Sequence, residues 1–142
     1  MRTSIIAALV CVLWLGGLDI TLGQPNKALY ELKERCGKVA REYFAKEHGQ
    51  DVDKSRDGEM KFKFENHYST RLDKCFFLLI TTSRGGSNME TMTLYDLNDN
   101  KEYGHFAQKI GEKFAMGCWV QDKPFCRSKS EWVRLIKPYM TH

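Results

Sequence analysis

The chain has 142 residues, 42% of them hydrophobic and 28% charged, with only three prolines and a net charge of +4. This composition excludes a disordered or low-complexity chain, and the length suits one domain with one core. The charge is unevenly placed: Lys123, Arg127, Lys129, Arg134 and Lys137 against Glu131 put the whole excess of +4 into residues 123–142.

Met1 and Arg2 precede an uncharged run from Ile5 to Leu18, the pattern of a secretory signal peptide. As a helix, that run would rise only about 21 Å, short of a hydrocarbon core, so no permanent membrane anchor is expected. Thr21-Leu22-Gly23 offers small residues for a cut before Gln24, which leaves residues 24–142 as a single mature domain of 119 residues. The expected location is periplasmic or secreted.

Leu29, Leu32, Cys36, Val39 and Tyr43 recur at steps of three and four, which predicts an amphipathic helix from Asn26 to a stop near Gly49. Residues 50–58 read as a polar loop. Asp51, Asp53 and Asp57 suggest a calcium loop, but the EF-hand order and its closing glutamate do not fit. Met60, Phe62 and Phe64 then alternate with Lys61, Lys63 and Glu65 as a half-buried strand should.

Lys74 to Thr82 is an apolar run expected as a central strand, followed by a turn around Gly85 and Gly86. Met89 to Tyr95 and Lys101 to Phe106 predict two further strands. Residues 109–127 read as irregular, disulfide-closed structure. Ser128-Lys-Ser-Glu131 is a capping box, and Trp132, Leu135, Ile136 and Tyr139 follow at helical spacing. Pro138 is expected to limit that helix. The predicted class is therefore α+β. An N-terminal helix and a short C-terminal helix pack on one face of a three- to four-stranded antiparallel sheet, with two disulfides.

Setting aside Cys11 in the signal segment leaves Cys36, Cys75, Cys118 and Cys126, an even count suited to two disulfides in an exported domain. Three pairings are open. Cys36 with Cys75 and Cys118 with Cys126 is preferred, because the second pair closes a short loop and the first then ties a helix to a strand. A four-cysteine zinc site would need close ligand pairs, and a thiol catalyst would need Cys-x-x-Cys or a lone cysteine. Neither pattern is present, and the sequence implies no metal or cofactor.

Glu65, His67, Tyr68 and Ser69, with Asp73 nearby, gather an acid, an imidazole, a phenol and a hydroxyl near a strand end. A general base or nucleophile in a small secreted hydrolase is one reading, centred on His67 and Ser69. Residues of a strand and its turn, with no catalytic role, is the other. Arg127, Lys129 and Arg134 suggest a binder of anionic polymers, while a solvated helix face explains the same charges. Nucleic acid is not expected as a partner.

The helix carrying Cys36, the string Asn66-His-Tyr-Ser-Thr-Arg-Leu-Asp-Lys-Cys-Phe76, Leu94-Tyr-Asp96, and Cys118 through Cys126-Arg-Ser128 resemble a family of small exported bacterial proteins of unknown function. The resemblance implies export, paired cysteines and no assigned activity. The helix-then-meander order also resembles cystatin-like inhibitors in outline, without their Gln-x-Val-x-Gly signature. With no assembled catalytic motif, the expected function is a non-catalytic exported module. It would bind a protein, peptide or envelope component through its sheet face or C-terminal helix.

Overall fold

A strand that is apolar at every position has to be covered on both sides, and the run from Cys75 to Ile80 is such a strand. The computed structural model describes residues 25–49, 51–55 and 58–141, and the expected signal peptide, with Cys11, lies outside them. Helix α1 (Pro25–His48) is followed by strands β1 (Val52–Ser55), β2 (Gly58–Ser69), β3 (Lys74–Gly85), β4 (Met89–Asp96), β5 (Lys101–Lys109) and β6 (Gly117–Val120), then helix α2 (Lys129–Met140). The strands form one six-stranded antiparallel sheet in sequence order. The class is α+β as expected, but two strands were not foreseen. β1 forms within the supposed polar loop by pairing Val52 with Lys61, and β6 forms within the supposed irregular segment by pairing Cys118 with Phe106.

The helices lie on opposite faces of the sheet, which corrects the single-face expectation. Phe77 and Leu79 of β3 pack with Phe62, Phe64 and the α1 residues Ala40, Tyr43 and Phe44. Phe76 and Leu78, one residue out of step, pack with Met92, Leu94, Phe106 and the α2 residues Trp132, Ile136 and Tyr139. Period-two alternation along β3 thus feeds two cores. Edge-on aromatic contacts hold each one: Tyr43 against Phe77 at 5.1 Å, and Phe76 against Tyr139 at 5.2 Å between ring centroids.

The buried stripe of α1 is turned slightly from the predicted one. Ala40 is fully buried and Phe44 nearly so, while Val39 is exposed. A small side chain at position 40 lets the helix axis approach the sheet. Gly49 ends the helix at φ +61°, donating its N–H to Ala45.

Cys36 on α1 bonds to Cys75 on β3, with Cα atoms 5.4 Å apart, and Cys118 bonds to Cys126, with Cα atoms 5.1 Å apart. This is the preferred pairing. Ser128 caps α2 by accepting the Glu131 N–H, and the Glu131 carboxylate accepts the Arg127 N–H. Pro138 does not end this helix, which continues to Met140 with Thr141 N–H donating to the Lys137 carbonyl.

Between β4 and β5 the register shifts at Leu94/Tyr95. Tyr103 falls at this bulge, and its ring packs against Phe76 and Tyr139. Its neighbour Gly104 is where Trp132 meets the sheet. A Cβ on Gly104 would lie 2.9 Å from both the Trp132 ring and the Trp119 carbonyl oxygen.

Candidate binding groove

α2 does not lie flush on its face of the sheet. Between it and strands β2 to β4 runs an open groove of about 560 Å³, floored by Leu78, Ile80 and Met92 and walled by Val133, Ile136 and Met140. Its size and its apolar lining with a few charges at the margin are those of a small-ligand or peptide side-chain site. Glu65, Glu90, Lys129 and Lys137 stand at the rim. At one end the Lys129 ammonium donates to both oxygens of Glu90, each at 2.8 Å, which ties the start of α2 to β4. The helix carries more apolar surface than its buried stripe needs: Val133 is half exposed although it borders the groove.

The three predicted basic residues sit in different settings at and before α2. Lys129 is engaged by Glu90, and Arg134 lies on the exposed side of α2. Arg127 sits in the preceding loop, where its carbonyl accepts the Ala115 N–H at 2.8 Å.

The predicted acid, imidazole, phenol and hydroxyl are divided by the sheet. Glu65, His67 and Ser69 share the α2 face of β2, being opposite Leu78, Phe76 and Lys74. Each step along that row spans about 6.6 Å. Glu65 borders the groove, while buried Ser69 and half-buried His67 line a separate shallow recess of about 290 Å³ with Arg71, Pro138 and Thr141.

Tyr68 points to the other face. There its hydroxyl donates to Asp73, and both line a recess of about 300 Å³ beside the Cys36–Cys75 disulfide. The Asp73 hydrogen bond, and secondarily burial, push the Tyr68 phenol above its ordinary range. Asp73 therefore orients Tyr68 on that face.

Among the described residues no group of three His, Cys, Asp or Glu side chains is placed to hold a metal ion, and no helix is long and apolar enough to cross a membrane. The groove residues Ile80, Met92, Val133 and Met140 were not singled out by sequence reasoning. The available signal was the apolar excess of α2, whose Val133 and Met140 lie beyond the stripe of Trp132, Leu135, Ile136 and Tyr139. No family model, no curated protein and no solved structure matches the chain.

Proposed function

We propose that this chain is a non-catalytic exported binding module whose groove between α2 and the sheet receives an apolar peptide segment of a protein outside the cytoplasm. The observation that carries the reading is the groove itself, an apolar floor and wall left open at the surface and bordered by charged residues of both signs. Acidic Glu65 and basic Lys137 at the rim suit a peptide with polar positions on either side of its apolar ones. Export is supported by the two disulfides, which persist in oxidising compartments, and by the apolar run of the first residues. Against hydrolysis through His67 stands the placement of Asp73 and Tyr68 on the opposite face of the sheet.

Selection of displayed random peptides on the wild-type protein tests the proposal. Enriched peptides should carry apolar residues and bind at least about tenfold more weakly to a Val133→Glu variant. Because Val133 is half exposed, this substitution should leave the unfolding transition in place. A His67→Ala variant should bind the same peptides as the wild type does. Failure to enrich any peptide, or binding indifferent to Val133→Glu, would overturn the reading.

A further inference from the structure

Scattered apolar side chains are normal on a protein surface, but one turn of this protein exposes three within seven residues. Ile110, Phe114 and Met116 are 50%, 64% and 65% exposed in the segment joining β5 to β6. The neighbouring β3–β4 turn is held against it by the Ile110 N–H, which donates to the Asn88 carbonyl at 2.7 Å. Cations ring the same end. Arg84 and Lys109 border one shallow depression with Ile110, Lys113 lies 5.9 Å from the centre of the Phe114 ring, and Arg127 is tied to Ala115 through its carbonyl.

The nearby acids are mostly engaged. Glu90 is held by Lys129, Glu131 accepts the Arg127 N–H at 2.7 Å, and Glu59 pairs with Lys61 at 2.9 Å. Glu112 is the acid of the exposed segment itself.

We infer that this end of the sheet docks on an anionic lipid surface, with Phe114, Met116 and Ile110 entering the headgroup boundary and Arg84, Lys109, Lys113 and Arg127 meeting the lipid phosphates. Apolar side chains projecting from a turn suit a soft interface that they can enter, whereas a folded protein partner would need a cavity to receive them. The charge is complementary to acidic headgroups, each cation near such a surface contributing about fivefold to affinity. The docking side chains are not those that line the α2 groove, although Glu90 borders both surfaces, so the inference does not rest on the proposed peptide binding.

Sedimentation of the full chain with vesicles tests it, using an equal mixture of phosphatidylglycerol and phosphatidylcholine against phosphatidylcholine alone. The wild type should bind the anionic vesicles at least about tenfold more tightly than the neutral ones, and added salt should weaken that binding. Phe114→Ser with Met116→Ser, and separately Lys113→Glu, should each lower affinity for the anionic vesicles about tenfold. Val133→Glu should leave it unchanged.

Equal binding to both vesicle types would overturn the inference, as would binding indifferent to the Phe114 and Met116 changes, the outcome expected if the apolar first residues drive it. Self-association without vesicles that Phe114→Ser abolishes would assign the surface to a second copy of the chain and overturn it too. Unchanged unfolding transitions in the variants exclude misfolding, since the altered side chains are exposed.

Discussion

Lys74 at the start of β3 donates to Asp96 at the end of β4, a carboxylate with no exposed surface. Asp96 also accepts the Asn98 N–H at 2.9 Å, while Asn98 accepts the Cys75 N–H at 2.8 Å, so one buried acid fastens the β4–β5 turn to β3. Lys74 reaches Asp99 as well and stands 5.4 Å from the centre of the Tyr103 ring. Removing one member of a buried pair strands the other charge away from water.

Lys74→Met should therefore destabilise the protein by about 3 kcal/mol in urea unfolding. Lys74→Met combined with Asp96→Asn should recover part of that loss, because no unpaired charge is left buried and the Asn98 N–H keeps a side-chain oxygen to donate to. Asp99→Asn, at an exposed partner, should move the midpoint little. A Lys74→Met midpoint equal to the wild type's would show that the pair is not a fastening.

The alkaline limit of stability follows from groups that hold their protons more tightly in the folded state. Burial pushes the Tyr43, Tyr95 and Tyr139 phenols above their ordinary 10.0, and the hydrogen bond to Asp73 does so for Tyr68. Asp96 and Asp99 together raise Lys74 well above its ordinary 10.5. Above these ordinary values the unfolded chain binds fewer protons than the native one, so stability falls as pH rises. The contribution is fully present below about pH 10 and is lost as pH climbs through the folded values. The unfolding temperature should be flat to about pH 9 and drop above about pH 10. Tyr68→Phe should make the drop shallower. A constant unfolding temperature to about pH 11 would contradict this assignment.

Gly104 permits the close approach of α2 to the sheet. Gly104→Ala would press a methyl group against the Trp119 carbonyl and the fully buried Trp132 ring. Overpacking of this kind costs about 1–3 kcal/mol, or roughly 5–10 °C in unfolding temperature for a domain of this size. Calorimetry reads the shift directly, and an unshifted transition would mean that α2 moves away at no cost.

The two disulfides should differ in their contribution. In the chain-entropy description the Cys36–Cys75 loop, with a sequence separation of 39, contributes about 4 kcal/mol, and the Cys118–Cys126 loop, with a separation of 8, about 2.5 kcal/mol. Paired serine substitutions, compared by urea unfolding, should preserve that order. Loss of α1 packing on removing Cys36–Cys75 should deepen the difference, and a reversed order would contradict the assigned roles.

Much of the fold was legible where one local signal sufficed. The alternation of Met60, Phe62 and Phe64 placed β2, the Ser128 to Glu131 spacing placed the start of α2, and loop length favoured the disulfide pairing that forms. The unbroken run from Cys75 to Ile80 already implied cover on both faces, and reading it as a strand on a one-sided sheet missed that consequence. β1 and β6, with four residues each, lack the length to declare a period, and both exist by pairing with a longer neighbour. Tertiary packing also selected Ala40 over Val39 for the buried side of α1. The groove was out of reach for a similar reason. Ile80, Met92, Val133 and Met140 come from three elements, and no spacing in the chain announces that they meet.

The methionines offer the most direct test of the groove as the ligand site. Met92 and Met140 line it, Met116 lies in the exposed β5–β6 segment, and Met60 lies on β2 on the α1 face of the sheet. The measurement is the methyl spectrum of protein labelled with ¹³C at the methionine methyls, titrated with a peptide selected as above. Binding in the groove should shift the Met92 and Met140 signals, leave Met60 and Met116 in place, and disappear in Val133→Glu. Shifts confined to Met60 or Met116, with Met92 and Met140 unmoved at saturation, would contradict the account.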